Sequence, residues 1–96
     1  MQLYTVRRRN YWRNPAALEA SAARSRKVGE EDMPDKVRWI RTYVVQESDG
    51  KLGTLCIYEA VSPEALKEHA ACADIPADEI APVATTVVIR PDPAAQ

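Results

Sequence analysis

Two helix starts of the same make, set between runs of strand-forming residues, limit what this chain can fold into more than any other feature. Asn14-Pro15 and Ser62-Pro63 each put a capping side chain before a proline at the first helical position. An Ala-rich stretch over 15–29 follows the first, with Leu18, Ala22 and Val28 on a broadly common side and Gly29 as its stop. The second carries Glu64 in its first turn, which suits the helix dipole, then Leu66, Ala70 and Ala73 at helical spacing. Strand formers fill the remainder. Leu3, Tyr4, Thr5 and Val6 predict a strand over 2–8, and the alternation from Val37 to Gln46 predicts a second. Ser48-Asp49-Gly50 makes a hairpin turn, so Lys51 to Glu59 returns antiparallel as the third. Between helix and strand, Glu30 to Lys36 contains Pro34 and reads as a loop. Ile75 to Ile80 reads as a connector, and the β-branched run Val83 to Ile89 as a fourth strand.

Strand–helix–strand–strand–helix–strand is the order of the ferredoxin-like split βαβ fold, an α+β architecture. It predicts a four-stranded antiparallel sheet with both helices on one face. A single domain over 1–90 and a Pro/Ala tail over 91–96 follow from the same reading. The sheet's other face would then lie open, and alternation assigns Trp39, Tyr43 and Tyr58 to it. So large an apolar patch calls for a cover. A homodimer closing as a dimeric α+β barrel is the expectation.

Composition removes several classes. A chain 46% hydrophobic and 28% charged is globular, not disordered. The amino terminus has no apolar signal core, and no apolar run nears membrane-spanning length, so the expected partner is not a membrane and the expected location is cytoplasmic. Cys56 and Cys72 leave open one bridge or two thiols, and the cytoplasmic reading favours thiols. Residues 1–27 carry seven basic side chains against one acid, whereas 28–96 carry six against thirteen. That asymmetry, with Arg7-Arg8-Arg9, Tyr11, Trp12 and Arg13 interleaved, raises single-stranded nucleic acid as a partner. An RNA-recognition sheet needs stacking aromatics on its third strand, and Lys51 to Leu55 offers none. No nucleic acid is expected.

Candidate chemistry gathers at few residues. His69 is the one histidine, near the buried edge of the second helix, where it can be a metal ligand, a general base, or a boundary residue bonded to backbone. Glu59 closes an apolar strand and must be paired, hydrated or liganded. Cys56 and Tyr58 share one face by alternation. Trp39, Arg41 and Tyr43 share a face of the second strand, where Arg41 could hold an anion or reach an acid across an interface.

Taken in order, Trp39-Ile40-Arg41-Thr42-Tyr43-Val44, Cys56-Ile57-Tyr58-Glu59-Ala60, Pro63-Glu64, Glu68-His69-Ala70, Ile75-Pro76-Ala77-Asp78 and Ile80 resemble a known family. It is the small bacterial ferredoxin-like family with a nickel-binding member, catalogued as a domain of unknown function. The likeness covers about residues 37–88 and, loosely, the first strand. It implies the split βαβ fold, a dimer and a divalent metal, nickel by resemblance. Arg41 stands where family members often carry histidine, and Arg7 where the first strand often has glutamate. Arginine has no lone pair to give a metal.

Three functions are therefore expected to compete. One is divalent-metal binding, with His69 and Glu59 as ligands. Another is a cofactor-free cyclase- or isomerase-type enzyme holding an organic anion in a dimeric-barrel pocket of Arg7, Trp39, Arg41, Tyr43, Cys56 and Tyr58. There Arg41 would stabilise an oxyanion, and His69 or Glu59 would move protons. The last is a non-catalytic dimeric binding module.

Overall fold

A computed structural model describes residues 1–93 of the chain. Its elements are β1 (Gln2–Trp12), α1 (Pro15–Lys27), β2 (Val37–Gln46), β3 (Leu52–Ala60), α2 (Pro63–Cys72) and β4 (Glu79–Pro82), with one π-helical turn over Val28–Asp32. The strands form one antiparallel sheet in the order β2-β3-β1-β4, the ferredoxin-like arrangement. Both cap-plus-proline devices work as expected. Asn14 Oδ1 accepts from the Ala17 amide at 2.9 Å, and Ser62 Oγ accepts from the Ala65 amide at 3.1 Å.

The sheet has one covered and one bare face. Tyr4 and Val6 of β1, Cys56, Tyr58 and Ala60 of β3, and Val37 of β2 are buried with Leu66, Ala65 and Ala73 of the α2 region. Their neighbours in alternation, among them Leu3, Thr5, Arg7, Leu55, Ile57 and Glu59, are only half-buried and point the other way. A period of two on β1 and β3 thus separates core from surface without exception at these positions.

Three local expectations are corrected. First, β1 continues to Trp12, because Asn10 takes a left-handed φ of 52° and the register with β3 resumes at Trp12 opposite Leu52. Second, Gly29 does not end the first helix. The chain widens there into the π-helical turn, where the Met33 amide donates to the Val28 carbonyl at 2.9 Å and both side chains are buried.

Third, the fourth strand is Glu79–Pro82, within and just beyond the expected connector, and not Val83 to Ile89. Tyr4 pairs with Pro82 and Val6 with Ile80, so β1 runs out soon after Val83, whose amide still reaches the Leu3 carbonyl at 2.9 Å. Beyond it Val87, Val88 and Ile89 are 79%, 72% and 83% exposed. Strand-forming residues without a neighbouring strand make no sheet. Of the tail expected over 91–96, Asp92 is tied to Arg41 and Tyr43, each at 2.7 Å, and Ala94 to Gln96 lie outside the described residues.

Candidate functional site

The sheet divides the residues expected to act together. Trp39, Cys56, Tyr58 and His69 lie on the helix side, whereas Arg7, Arg41, Tyr43 and Glu59 lie on the bare side. A β-bulge causes half of this. Trp39 pairs with Tyr58, but the next pair is Arg41 with Ile57, leaving Ile40 as the extra residue. Trp39 therefore stacks on Tyr58 with centroids 6.2 Å apart, under the helices, while Arg41 and Tyr43 come out on the opposite face. The expected patch of Trp39, Tyr43 and Tyr58 on the bare face does not form. Nor can His69 and Glu59 share a metal or pass a proton within one chain.

On the bare face the arginines are engaged. Arg7 Nη2 meets both Glu47 oxygens at 3.1 and 3.2 Å, Arg9 meets Glu79 at 2.8 Å, and Arg38 lies 3.8 Å from Glu59. Arg41 and Tyr43 converge on Asp92. Glu47 and Glu79 thus answer Arg7 and Arg9 of the basic first strand. The Asn10 amide and then Arg7 hold Glu47 below the usual carboxylate range, as Arg9 does Glu79.

On the helix side the packing leaves room. Helix α1 buries Ser21 and Ser25; of the expected stripe of Leu18, Ala22 and Val28, Val28 is buried and the other two are half-buried. Trp12 Nε1 donates to Ser21 Oγ at 2.8 Å, and Arg24 Nη2 donates to the same oxygen at 3.3 Å. Serine and alanine opposite Trp12, Trp39 and Tyr58 cannot fill the gap to the sheet. A cavity of about 140 Å³ results, walled by these aromatics, α1 and Val44, with Arg8, Thr54 and Cys56 also lining it.

Arg8 is buried in the wall of this cavity, whose own surface is apolar. Alternation places it with Tyr4 and Val6, and it is only 4% exposed. Its Nε donates to the Pro76 carbonyl at 2.6 Å and its Nη1 to Cys56 Sγ at 3.5 Å. Thr42 Oγ1 donates to the same sulfur at 3.2 Å while accepting from Trp39 Nε1 at 2.6 Å. Among the described residues Arg8 has no carboxylate partner. Thr54, cross-strand from Arg8, is 2% exposed, and its Oγ1 finds no hydrogen-bond partner among the described residues. Burial pushes the Tyr58 phenol up; Cys56 adds to this, and Arg8 opposes it. Sequence reasoning passed over Arg8, Ser21, Ser25 and Thr54, although alternation from Val6 marks Arg8 as inward.

His69 is a core histidine. It is 1% exposed, sits edge-on to Tyr58 at 5.6 Å, and its Nε2 lies 3.0 Å from the Ser25 carbonyl, which requires Nε2–H as donor. Burial pushes its pKa below the ordinary 6.5; the Ser25 carbonyl opposes, and the Arg8 charge adds to the fall. The neutral ring is thus favoured by folding. Stability from this source is complete above the unfolded value and is lost as pH falls from about 6.5 through the folded value. Glu47, Asp49 and Glu79, all held below their ordinary range, protonate only further down. The urea midpoint is therefore expected to drop between pH 7.5 and 5.5 in the native chain and to stay nearly flat in His69→Gln. Equal slopes in the two proteins would refute the assignment.

Nickel is not fitted by these residues in one chain. No group of three or more His, Cys, Asp or Glu able to hold a metal occurs among the described residues. The imidazole Nε2 is spent on a carbonyl, and the guanidinium beside Cys56 opposes a second cation.

Sheet order and one-sided helices define a ferredoxin-like α+β protein. The family model of the nickel-responsive SCO4226-like proteins matches residues 4–83, and the chain belongs to that family. The description marks a small, metal-related group. Among solved structures, SCO4226 from Streptomyces coelicolor A3(2) superposes with a TM-score of 0.70 at 20% identity, over 88% of this chain and 99% of that one. At that identity the likeness is one of fold. No curated protein sequence matches. Among the described residues no helix is long and apolar enough to cross a membrane.

Proposed function

We propose that this member of the nickel-responsive family is a ligand-binding protein whose helix-side cavity receives a small anion on Arg8. The observation that carries the reading is that Arg8 is 4% exposed and has no carboxylate beside it among the described residues. Burying such a charge costs several kcal/mol unless something answers it, and a backbone carbonyl and a sulfur answer it only in part. A bound anion completes the pairing. The organic anion expected from the sequence is kept, but its seat moves from a chamber between two sheets to the space under α1.

Acetate titrated into the full chain, followed by the emission of Trp12 and Trp39, tests this. Arg8→Met is expected to weaken binding by about tenfold to a hundredfold, the range for a hydrogen bond to a charged group. The same variant should melt higher than the native chain, because an apolar side chain replaces a buried charge. Acetate binding that survives unchanged in folded Arg8→Met removes the proposal.

A homodimer is part of the reading. The bare face sets Leu3, Leu55, Ile57 and Val45, half-buried, beside the 42% exposed Tyr43, and the unpaired Val87 to Ile89 adds apolar surface. A second copy laid on this face would hide both. Sedimentation is expected to give twice the chain mass at micromolar concentration, and a monomer there would end this part.

The family description favours a second reading, nickel held between two copies. Glu59 is then the better candidate of the two expected ligands, since it lies on the face that would be shared, 3.8 Å from Arg38. Calorimetric titration of nickel into the native chain and Glu59→Gln separates this reading from the first. Heat that persists in Glu59→Gln, or no heat in either, counts against it.

A further inference from the structure

The tail beyond β4 and the outer side of β2 are two halves of one unmade strand pair. Strand β2 ends the sheet on one side, and Arg41-Thr42-Tyr43-Val44-Val45-Gln46 carries one charge and no proline to blunt that edge. The Glu47 amide donates to the Lys51 carbonyl at 3.0 Å, which closes the β2–β3 hairpin. Alternation from that bond turns the main-chain groups of Thr42, Val44 and Gln46 away from β3. Among the described residues no strand lies beyond them. Thr85-Thr86-Val87-Val88-Ile89 is the complementary case, a strand-forming run without a strand. The tail is tied to its own body at Val83 and Asp92, and between these ties Val87, Val88 and Ile89 stand exposed.

Asp92 fixes how the two halves meet, because its carboxylate accepts from Arg41 and Tyr43. With Asp92 opposite Arg41 and the added strand antiparallel, Ile89 falls opposite Val44, Val88 opposite Val45 and Val87 opposite Gln46. Ile89 and Val44, both exposed in the single chain, then cover each other. Ile89 and Val87 exchange main-chain bonds with Val44 and Gln46, and Pro91 sits at the strand end, where a missing N–H is tolerated. The reverse direction would run into the bulge at Ile40 and the Val37 amide, which already donates to Met33 at 3.1 Å. A chain cannot make this pairing with itself. Val83 lies beside Leu3, level with Glu59 and so with Arg38. Gln46 is more than roughly 20 Å further along β2 at about 3.3 Å per residue. The links from Val83 to Val87 reach at most about 14 Å.

We infer that, in the homodimer proposed above, each copy places residues 85–92 along the free edge of the other copy's β2. Asp92 of one copy then meets Arg41 and Tyr43 of the other. The inference rests on that dimer reading and names the segment that joins the copies. Exchange reproduces the Asp92 bonds, adds a strand ladder and hides the exposed run, so little opposes it. Two-fold reciprocity leaves neither β2 edge open and closes the assembly at two chains.

Three measurements on the full chain test it. Sedimentation of the native protein comes first, and a monomer at micromolar concentration removes the dimer and the exchange together. Ile89→Pro strikes the exchange alone, since Ile89 is 83% exposed and its amide has no backbone partner among the described residues. The variant is expected to keep the native circular dichroism and to raise the dimer dissociation constant about tenfold or more, through a ladder bond lost from each exchanged strand. Last, in a Cys72→Ser background with the buried Cys56 left in place, chains carrying Val45→Cys are mixed with chains carrying Val88→Cys and oxidised in air. The register makes these two positions a closely spaced pair within disulfide reach. Intact mass is expected to show the mixed disulfide as the main linked product. A dimer unchanged by folded Ile89→Pro, or a mixture lacking the mixed disulfide, overturns the exchange and leaves the homodimer standing.

Discussion

Alanine at position 58 is expected to leave this chain close to unfolded at 37 °C. Tyr58 is 1% exposed and joins three parts of the molecule: it stacks on Trp39 of β2, meets His69 of α2 edge-on, and walls the cavity under α1. Truncating a buried aromatic to alanine costs about 3–5 kcal/mol. Small domains hold only about 5–15 kcal/mol in total, and the existing cavity lets a new void join it instead of collapsing. In a domain near 100 residues each kcal/mol moves the midpoint by roughly 4–8 °C. Thermal circular dichroism should thus show Tyr58→Ala melting at least about 15 °C below the native chain. Tyr58→Phe, which keeps the ring, should fall only a few degrees. A Tyr58→Ala midpoint within 5 °C of native would show that the ring does not join these layers.

Gly53→Ala is the second severe change, and its cause lies in the strand backbone. A Cβ built at Gly53 falls 2.6 Å from the Arg8 carbonyl oxygen, 2.8 Å from Arg7 Nη1, and against Glu47 Oε2. The first of these atoms is main chain in the neighbouring strand and cannot swing away. The others belong to the ion pair that also takes the Asn10 amide at 2.8 Å. Relief would require β1 and β3 to part where β1 already bends. Overpacking of this kind costs about 1–3 kcal/mol, and pressure on main chain puts it at the upper end. A fall of about 10 °C or more is expected, with loss of the Arg7–Glu47 pair visible as a rise in the Glu47 pKa by NMR. An unshifted melt would show that the strands give way freely.

The element order was legible because capping and turn chemistry are local. Asn14-Pro15, Ser62-Pro63 and Asp49-Gly50 act through neighbours a few bonds away, and each does in the folded chain what its sequence implies. The family resemblance was legible for a related reason, as its short runs fall on β2, β3 and α2 at fixed spacing. The candidate site was read less well, and each miss has a nonlocal cause. Simple alternation put Trp39 with Arg41 and Tyr43; the bulge at Ile40 breaks that parity, and nothing in Trp-Ile-Arg announces it. Val83 to Ile89 has strand composition, yet strand status depends on how far β1 extends. Helix α1 looked held by Leu18 and Ala22, but tryptophan and histidine partners elsewhere make Ser21 and Ser25 its buried face. Arg8 was the one recoverable residue. A run of three arginines suggests a basic surface, whereas the strand period turns the middle one inward.

The position of β1 in the sheet bears on how the chain folds. Its neighbours are β3 and β4, so β1 pairs only with strands that lie far along the sequence from it. Sheets closed by such distant partners form slowly, on the millisecond-to-second scale. Until β3 and β4 dock, Tyr4, Val6 and Arg8 have no neighbouring strand to lie beside. The completion of this sheet is therefore a long-range event.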